Sequence, residues 1–188
     1  MSDVKSTLRQ TAYAARKLAF AAREETGAVA AATALLLAEI GPAQGRIIAG
    51  YMPIRTELDP LPAMMALHGQ GARLVVPVIA GEGLPLDFRE WTPGCALTEG
   101  PFGAMIPESG DWLFPDTLIV PLVGFDAACN RLGYGGGFYD RTLARLAETA
   151  PIRAIGFAFA AQELPALPVE ATDIPLDAIV TEAGILRP

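Results

Sequence analysis

The chain predicts an α/β fold, a single-domain three-layer α/β/α sandwich with a mostly parallel sheet over residues 1–188. Three observations carry that expectation. Short apolar runs recur at 46–51, 74–79, 117–123, 154–159 and 176–181. Such runs suit strands buried on both faces. Helical patterns at 3–25, 28–40, 60–68 and from Phe138 onward separate or precede them, and that alternation calls for parallel strands with helices above and below. The length fits one domain, burying roughly 70% of the surface of the extended chain.

Each element has its own signal. Leu8, Ala12, Ala15 and Ala19 recur at helical spacing, so residues 3–25 read as a helix. Lys5 and Arg9 share one face, and Arg16 and Arg23 continue it at intervals of seven. That stripe is either a solvated face or, in its first turns, an anion contact. Gly27 ends this helix, and Gly41-Pro42 closes the next. The run from Arg46 to Tyr51 is a buried strand, followed by Met52-Pro53 and Arg55-Thr56-Glu57-Leu58-Asp59. Polar residues just past a strand's C-terminal end are where α/β proteins place ligand contacts. Asp59 before Pro60 suits a cap for helix 60–68, which leaves Glu57 the freer residue for function.

Leu74 to Ile79 reads as a third apolar run, bounded by Gly71 and Gly81-Glu82-Gly83. Leu86 to Trp91 alternates and reads as an edge hairpin strand. Residues 92–116 hold much Pro and Gly with little periodicity, a connection of a length that is often functional. After the apolar runs at 117–123 and 154–159, a proline-rich turn at 164–168 leads to the last strand.

Composition excludes several function classes. A net charge of −7 argues against general affinity for nucleic acid or an anionic membrane. Cys95 and Cys129 have no metal-type spacing, and two cysteines make no disulfide framework, so a reduced cytoplasmic protein is expected. His68 is the one histidine; beside Gly69 and without a nucleophile motif, it reads as a surface helix end. The stretch from Ala28 to Ala38 is too short and alanine-rich to span a membrane. The N-terminus lacks a signal-peptide core. Residues 1–23 are basic with Asp3 the one acid, like some transit peptides, but are taken as the first helix of the domain.

The densest chemistry lies at Asn130-Arg131-Leu132-Gly133-Tyr134-Gly135-Gly136-Gly137-Phe138-Tyr139-Asp140-Arg141. A glycine loop between a strand and a helix N-terminus leaves amides uncovered for phosphate. Arginine forks onto phosphate, and a carboxylate beside phosphate implies Mg²⁺. No Lys-Ser or Lys-Thr follows the glycines, so this is not a P-loop, and the spacing is a poor dinucleotide fingerprint.

The segment GYGGGFYDR resembles the signature of the 5-formyltetrahydrofolate cyclo-ligase (5,10-methenyltetrahydrofolate synthetase) family. Lys5-x-x-Leu8-Arg9, Met52 with Glu57, Asp126 and Asn130-Arg131-Leu132-Gly133 resemble family segments in the same order. Gln162, Leu167-Pro168, Asp173 and Val180-Thr181-Glu182 continue the likeness. Two positions depart from it: Cys129 stands where many members have glycine, and Thr172 where many bacterial members have histidine.

The resemblance implies a topology similar to the ribose-phosphate isomerase and CoA-transferase group. It implies ATP as co-substrate, Mg²⁺ as cofactor and a reduced folate as substrate, with no nucleic-acid or membrane partner and a monomeric chain. It places Lys5, Arg9, Arg131, Leu132, Gly133, Tyr134, Gly135, Gly136, Gly137, Phe138 and Tyr139 at ATP. Met52, Glu57, Tyr134, Gly135, Gly136, Gly137 and Phe138 are expected at the folate, and Asp140 and Asp173 at the metal. Arg131 and Tyr139 are the expected catalytic residues. Phe138 and Tyr139 are adjacent on a helix, so one of them is expected in the core. Two other readings stay open: a non-catalytic folate or nucleotide binder, and a sugar-phosphate isomerase reached by fold analogy.

Overall fold

The computed structural model describes residues 2–188, so the first residue of the expected 1–188 domain lies outside it. In chain order the elements are α1 (Ser2–Thr26), α2 (Ala28–Ile40), β1 (Ile47–Ala49), α3 (Leu61–Gly69), β2 (Arg73–Ile79) and β3 (Leu86–Trp91). Next come β4 (Leu97–Glu99), β5 (Met105–Pro107), β6 (Thr117–Pro121), β7 (Gly124–Phe125) and β8 (Arg131–Leu132). The chain finishes with α4 (Phe138–Ala147), β9 (Arg153–Phe157), β10 (Ala178–Val180) and β11 (Ile185–Leu186).

One seven-stranded sheet organises the chain, in the order β11-β10-β9-β6-β1-β2-β3. Strands β10, β9, β6, β1 and β2 pair in parallel; β3 and β11 close the two edges antiparallel. Their side chains alternate between two apolar clusters. Ile119 faces the cluster of Ala32 and Leu36 from α2 and Ala63, Met64 and Leu67 from α3. Leu118 and Val120 face the cluster of Phe138, Tyr139, Leu143 and Leu146 from α4. Burial on both faces is why these runs contain so little polar alternation. Thr142 ties α4 to the sheet edge: its hydroxyl accepts from the Leu86 N–H at 2.8 Å and donates to the Phe138 carbonyl at 2.6 Å.

Successive parallel strands lie on opposite sides of β1, with β2 on one flank and β6 on the other. The crevice at the C-terminal ends of β1 and β6 is therefore a topological switch point, where open α/β sheets bind ligands. No described helix is long and apolar enough to cross a membrane.

The structure differs from the expected elements in three places. The glycine loop does not follow β6 directly; a two-stranded hairpin, β7 with β8, intervenes. Residues 92–116 contain a second small hairpin, β4 with β5. A terminal strand, β11, extends the sheet beyond the expected last strand.

Candidate active site

The hairpin β7–β8 is turned by Asp126. Its carboxylate accepts from the Ala128 and Asn130 N–H groups at 3.0 and 3.1 Å, from the Asn130 side chain at 3.0 Å and from the Leu167 N–H at 3.0 Å. The turn drives Cys129 to φ +58, with its side chain fully buried. This left-handed backbone explains why glycine would suit the position. Leu132 then packs with Ala12 and Leu8 of α1, which lays the first turns of that helix along the glycine loop.

Two cavities open on this framework. The polar one, about 660 Å³, is lined by Lys5, Arg9, the stretch from Arg131 to Arg141, Ala144 and residues Glu170 to Ile174. The N–H groups of Gly135, Gly136 and Gly137 have no acceptor among the described residues. Gly135 takes φ +112, and a Cβ on Gly136 would fall 2.7 Å from the Phe138 ring. Arg9 Nε donates to the Gly133 carbonyl at 2.8 Å, and Arg141 Nη2 to the Gly136 carbonyl at 2.6 Å. These bonds tie the loop carbonyls to α1 on one side and α4 on the other.

Charges in this cavity are paired across elements. Lys5 Nζ lies 2.9 Å from Asp173 and 3.0 Å from Glu170. Burial lowers the Lys5 pKa, but those two hydrogen bonds outweigh it and raise the group. Burial pushes Asp173 up; donation from the Glu170 N–H and from Lys5 outweighs it and holds the carboxyl below its usual range. Arg131 Nη2 donates to Asp140 at 2.8 Å, and the other Asp140 oxygen accepts from the Ile174 N–H at 3.3 Å. The Arg131 Nε is buried without a partner among the described residues, and its guanidinium lies 5.5 Å from the Tyr139 ring centroid. An orphaned buried donor beside free amides is the donor set an oxyanion needs.

The second cavity, about 240 Å³, sits at the switch point and is mostly apolar. Tyr51 and Met52 after β1, Pro77 and Ile79 of β2, and Pro121 to Val123 at the end of β6 form its floor. Ala104, Met105 and Ile106 close one side; Tyr13 and Arg16 of α1 close another. All four tyrosines of the chain, Tyr13, Tyr51, Tyr134 and Tyr139, line it. Glu57 is the carboxylate in its wall, its Oε2 accepting from the Ile54 N–H at 2.9 Å. Burial pushes Glu57 above the ordinary carboxylate value, opposed by that N–H and by the charge of Arg16. Burial also raises Tyr51 and Tyr139 strongly, so both are neutral hydroxyls at working pH.

The cavities share a wall of Arg131, Gly133, Tyr134 and Tyr139. Of the residues expected at the folate, Met52, Glu57 and Tyr134 line the apolar cavity; Gly135, Gly136, Gly137 and Phe138 line the polar one. Phe138 and Tyr139 are both buried, and Tyr139 alone of the two reaches the apolar cavity. Asp140 and Asp173 both lie in the polar cavity, each engaged by a cation, and no three His, Cys, Asp or Glu converge among the described residues. Their hard oxygens suit Mg²⁺ when phosphate oxygens complete the shell. Asp126 and Gln162 are structural: the Gln162 amide donates to the Leu122 and Val123 carbonyls at 2.9 and 3.0 Å. Asp59 accepts from the Leu61 N–H at 2.9 Å, a helix-start role, and His68 sits exposed in the last turn of α3.

Sequence reasoning gave no site role to Tyr13, Met105, Ile106 or Glu170. For Arg16 there was one signal, its place on the Lys5–Arg9 stripe. The stripe divides: Lys5 and Arg9 reach the polar cavity, Arg16 the apolar one, and Arg23 donates to its own helix at the Phe20 carbonyl.

Known proteins match this architecture. The model of the 5-formyltetrahydrofolate cyclo-ligase family matches residues 1–182. The 5-formyltetrahydrofolate cyclo-ligase of Escherichia coli K12 is 36% identical over 149 residues, 73% of this chain and 79% of that protein. The cyclo-ligase of Mycolicibacterium smegmatis is also 36% identical, over 59% of this chain and 61% of its own length. The solved structure of Aquifex aeolicus 5,10-methenyltetrahydrofolate synthetase superposes with a TM-score of 0.78 at 29% identity, covering 98% of this chain and 92% of that one. With the fold, the glycine loop and the matched residues in agreement, the chain belongs to the 5-formyltetrahydrofolate cyclo-ligase family.

Proposed function

We propose that this chain uses ATP to close 5-formyltetrahydrofolate to 5,10-methenyltetrahydrofolate, releasing ADP and phosphate. One observation carries the reading: a polar cavity edged with free amides meets an apolar, tyrosine-lined cavity across a wall containing Arg131. A triphosphate in the first and a flat heterocycle in the second would bring a terminal phosphate and a formyl group together at that wall.

A formamide oxygen is a poor leaving group. In this reading it attacks the γ-phosphate, ADP departs, and the formyl carbon becomes electrophilic. N10 of the folate then adds to that carbon, and phosphate leaves carrying off the N10 proton. Phosphoryl transfer is mostly positioning and charge stabilisation, so no protein nucleophile is required. Lys5, Arg9, Arg131 and the loop amides bind phosphate oxygens; the Arg131 Nε, buried and unpartnered, is available for charge that develops on transfer. Tyr139, kept neutral by burial, donates a hydrogen bond at the wall and does not act as a base. Glu57 accepts from the pterin amino and ring N–H groups, and Met52 and Tyr134 pack its faces. Asp140 and Asp173 would hold Mg²⁺ together with phosphate oxygens, and the ion would neutralise phosphate charge. Both cysteines are free, and we place the reaction in the reducing cytoplasm.

The test is purified protein with 5-formyltetrahydrofolate and Mg-ATP, followed by the near-ultraviolet absorbance of methenyltetrahydrofolate. An ATP-dependent rise is expected. Folded protein that gives none overturns the proposal, and tight folate binding without turnover would leave a binding protein instead.

A further inference from the structure

Arg16 is 4% exposed, buried well beyond what its charge favours. A buried guanidinium is costly unless it is paired, yet no carboxylate lies within ion-pair distance of Arg16 among the described residues. Its Nε donates to the Thr56 hydroxyl at 3.0 Å, and its Cζ lies 5.0 Å from the Tyr13 ring centroid. The side chain lines the apolar cavity together with Glu57. Thr56 and Glu57 belong to one tight turn: the Glu57 N–H donates to the Ile54 carbonyl at 3.2 Å, and the Glu57 carboxylate accepts from the Ile54 N–H. Arg16 therefore braces, from a helix 40 residues away in sequence, the turn that presents the carboxylate.

We propose that Arg16 is a positioning residue for Glu57, holding its carboxylate ionised and in place to accept the N–H groups of a bound heterocycle. The inference rests on the folate reading above. Other groups around Glu57 do not replace Arg16. Tyr13 comes from α1, Tyr51, Arg55 and Asp59 from the strand end and turn, and Arg131, Tyr134 and Tyr139 from the β8–α4 segment. Burial raises Tyr51, Tyr134 and Tyr139, so they carry no charge at neutral pH. Asp59 acts on Tyr51, Arg55 is exposed at the cavity mouth, and Arg131 is paired with Asp140. Arg16 is the cation that opposes the burial of Glu57. Removing a positive charge stabilises the protonated acid, and a protonated Glu57 loses an acceptor for the ligand.

The experiment compares wild type, Arg16→Met, Arg16→Lys and Thr56→Val, with the KM for folate and for ATP measured across pH. Arg16→Met is expected to raise the folate KM about tenfold at neutral pH, the loss of one charge-assisted hydrogen bond. Its acid limb moves to higher pH while the ATP KM stays put. Arg16→Lys restores the limb. Thr56→Val keeps the charge and loses the tether, so folate KM rises with the limb unmoved; this variant carries the test if Arg16→Met does not fold. An acid limb unmoved in folded Arg16→Met, or a Thr56→Val that raises both KM values equally, overturns the role of Arg16. Wild type that turns over no folate overturns the activity itself, a separate result.

Discussion

The polar cavity takes most of its wall from one unbroken stretch, Arg131 to Arg141, whereas the apolar cavity collects Tyr13, Glu57, Ile79, Met105 and Leu122 from five separate segments. The ligands proposed for the two cavities would account for the difference. Phosphate oxygens are gripped by successive backbone amides, which only contiguous residues supply in a fixed geometry. A flat ring needs apolar walls on several sides and a few placed polar groups, which only distant segments supply. Damage to the first cavity should therefore be local and specific to ATP, damage to the second distributed and specific to folate.

The largest effect is expected where the cavities meet. Arg131→Ala should lower kcat by about a thousandfold, the scale of a lost transition-state donor. It should also weaken both ligands; an effect on one KM alone would show that the shared wall is not shared in function. Next, Gly136→Val puts a side chain against the Phe138 and Tyr134 rings, with its Cβ 2.7 Å from the first. The ATP KM should rise at least about tenfold through lost amide contacts, and direct titration should find folate binding intact. Equal losses for both ligands would break the comparison. Glu57→Gln is the mirror case, with an expected rise in folate KM of about tenfold and no change for ATP. In wild type, burial raises Glu57, so folate affinity should hold at high pH and fall as pH drops through a midpoint above the ordinary glutamate value. Glu57→Gln should abolish that acid limb.

Cys129→Gly should have the smallest effect. Relief of the left-handed backbone, about 1 kcal/mol, is offset by lost packing and by glycine's larger unfolded entropy of about 0.5–1 kcal/mol. Thermal unfolding should stay within about 1 kcal/mol of wild type, with turnover unchanged. A large loss of activity would mean that the turn at Asp126 sets the loop geometry more tightly than its hydrogen bonds suggest.

The same contrast decides what the sequence could disclose. The glycine loop was legible because the residues that edge the polar cavity are adjacent in the chain. The strands β1, β2, β6 and β9 were legible because Ile48, Val75, Leu118 and Ile155 need burial on both faces. The hairpin β7–β8 was not, since two residues per strand carry no periodicity; its cause is the Asp126 side chain, which replaces ladder bonds with turn bonds. Ile185–Leu186 was too short a run to declare a strand without β10 beside it. Arg16 belonged to a stripe that sequence left open between a solvated face and an anion contact, and Tyr13 gave no signal, because their partners, Thr56 and the switch-point crevice, lie far along the chain. Residues 101–106 lie in a stretch with little periodicity, and Pro101, Ala104, Met105 and Ile106 gain their place only by lining the apolar cavity with residues of β2 and the end of β6.

Helix α1 lines both cavities at once, through Lys5 and Arg9 on one and Tyr13 and Arg16 on the other. It thus works as a rigid ruler: Lys5 and Arg16 stand eleven positions apart, about 16 Å of helix. One residue inserted between Arg9 and Tyr13 would swing either half about 100° around the axis, parting the helix from one of the two cavities whatever the loops did to compensate. A change of chain length is therefore expected to be costly in this first helix and cheap in the irregular stretch around residue 94.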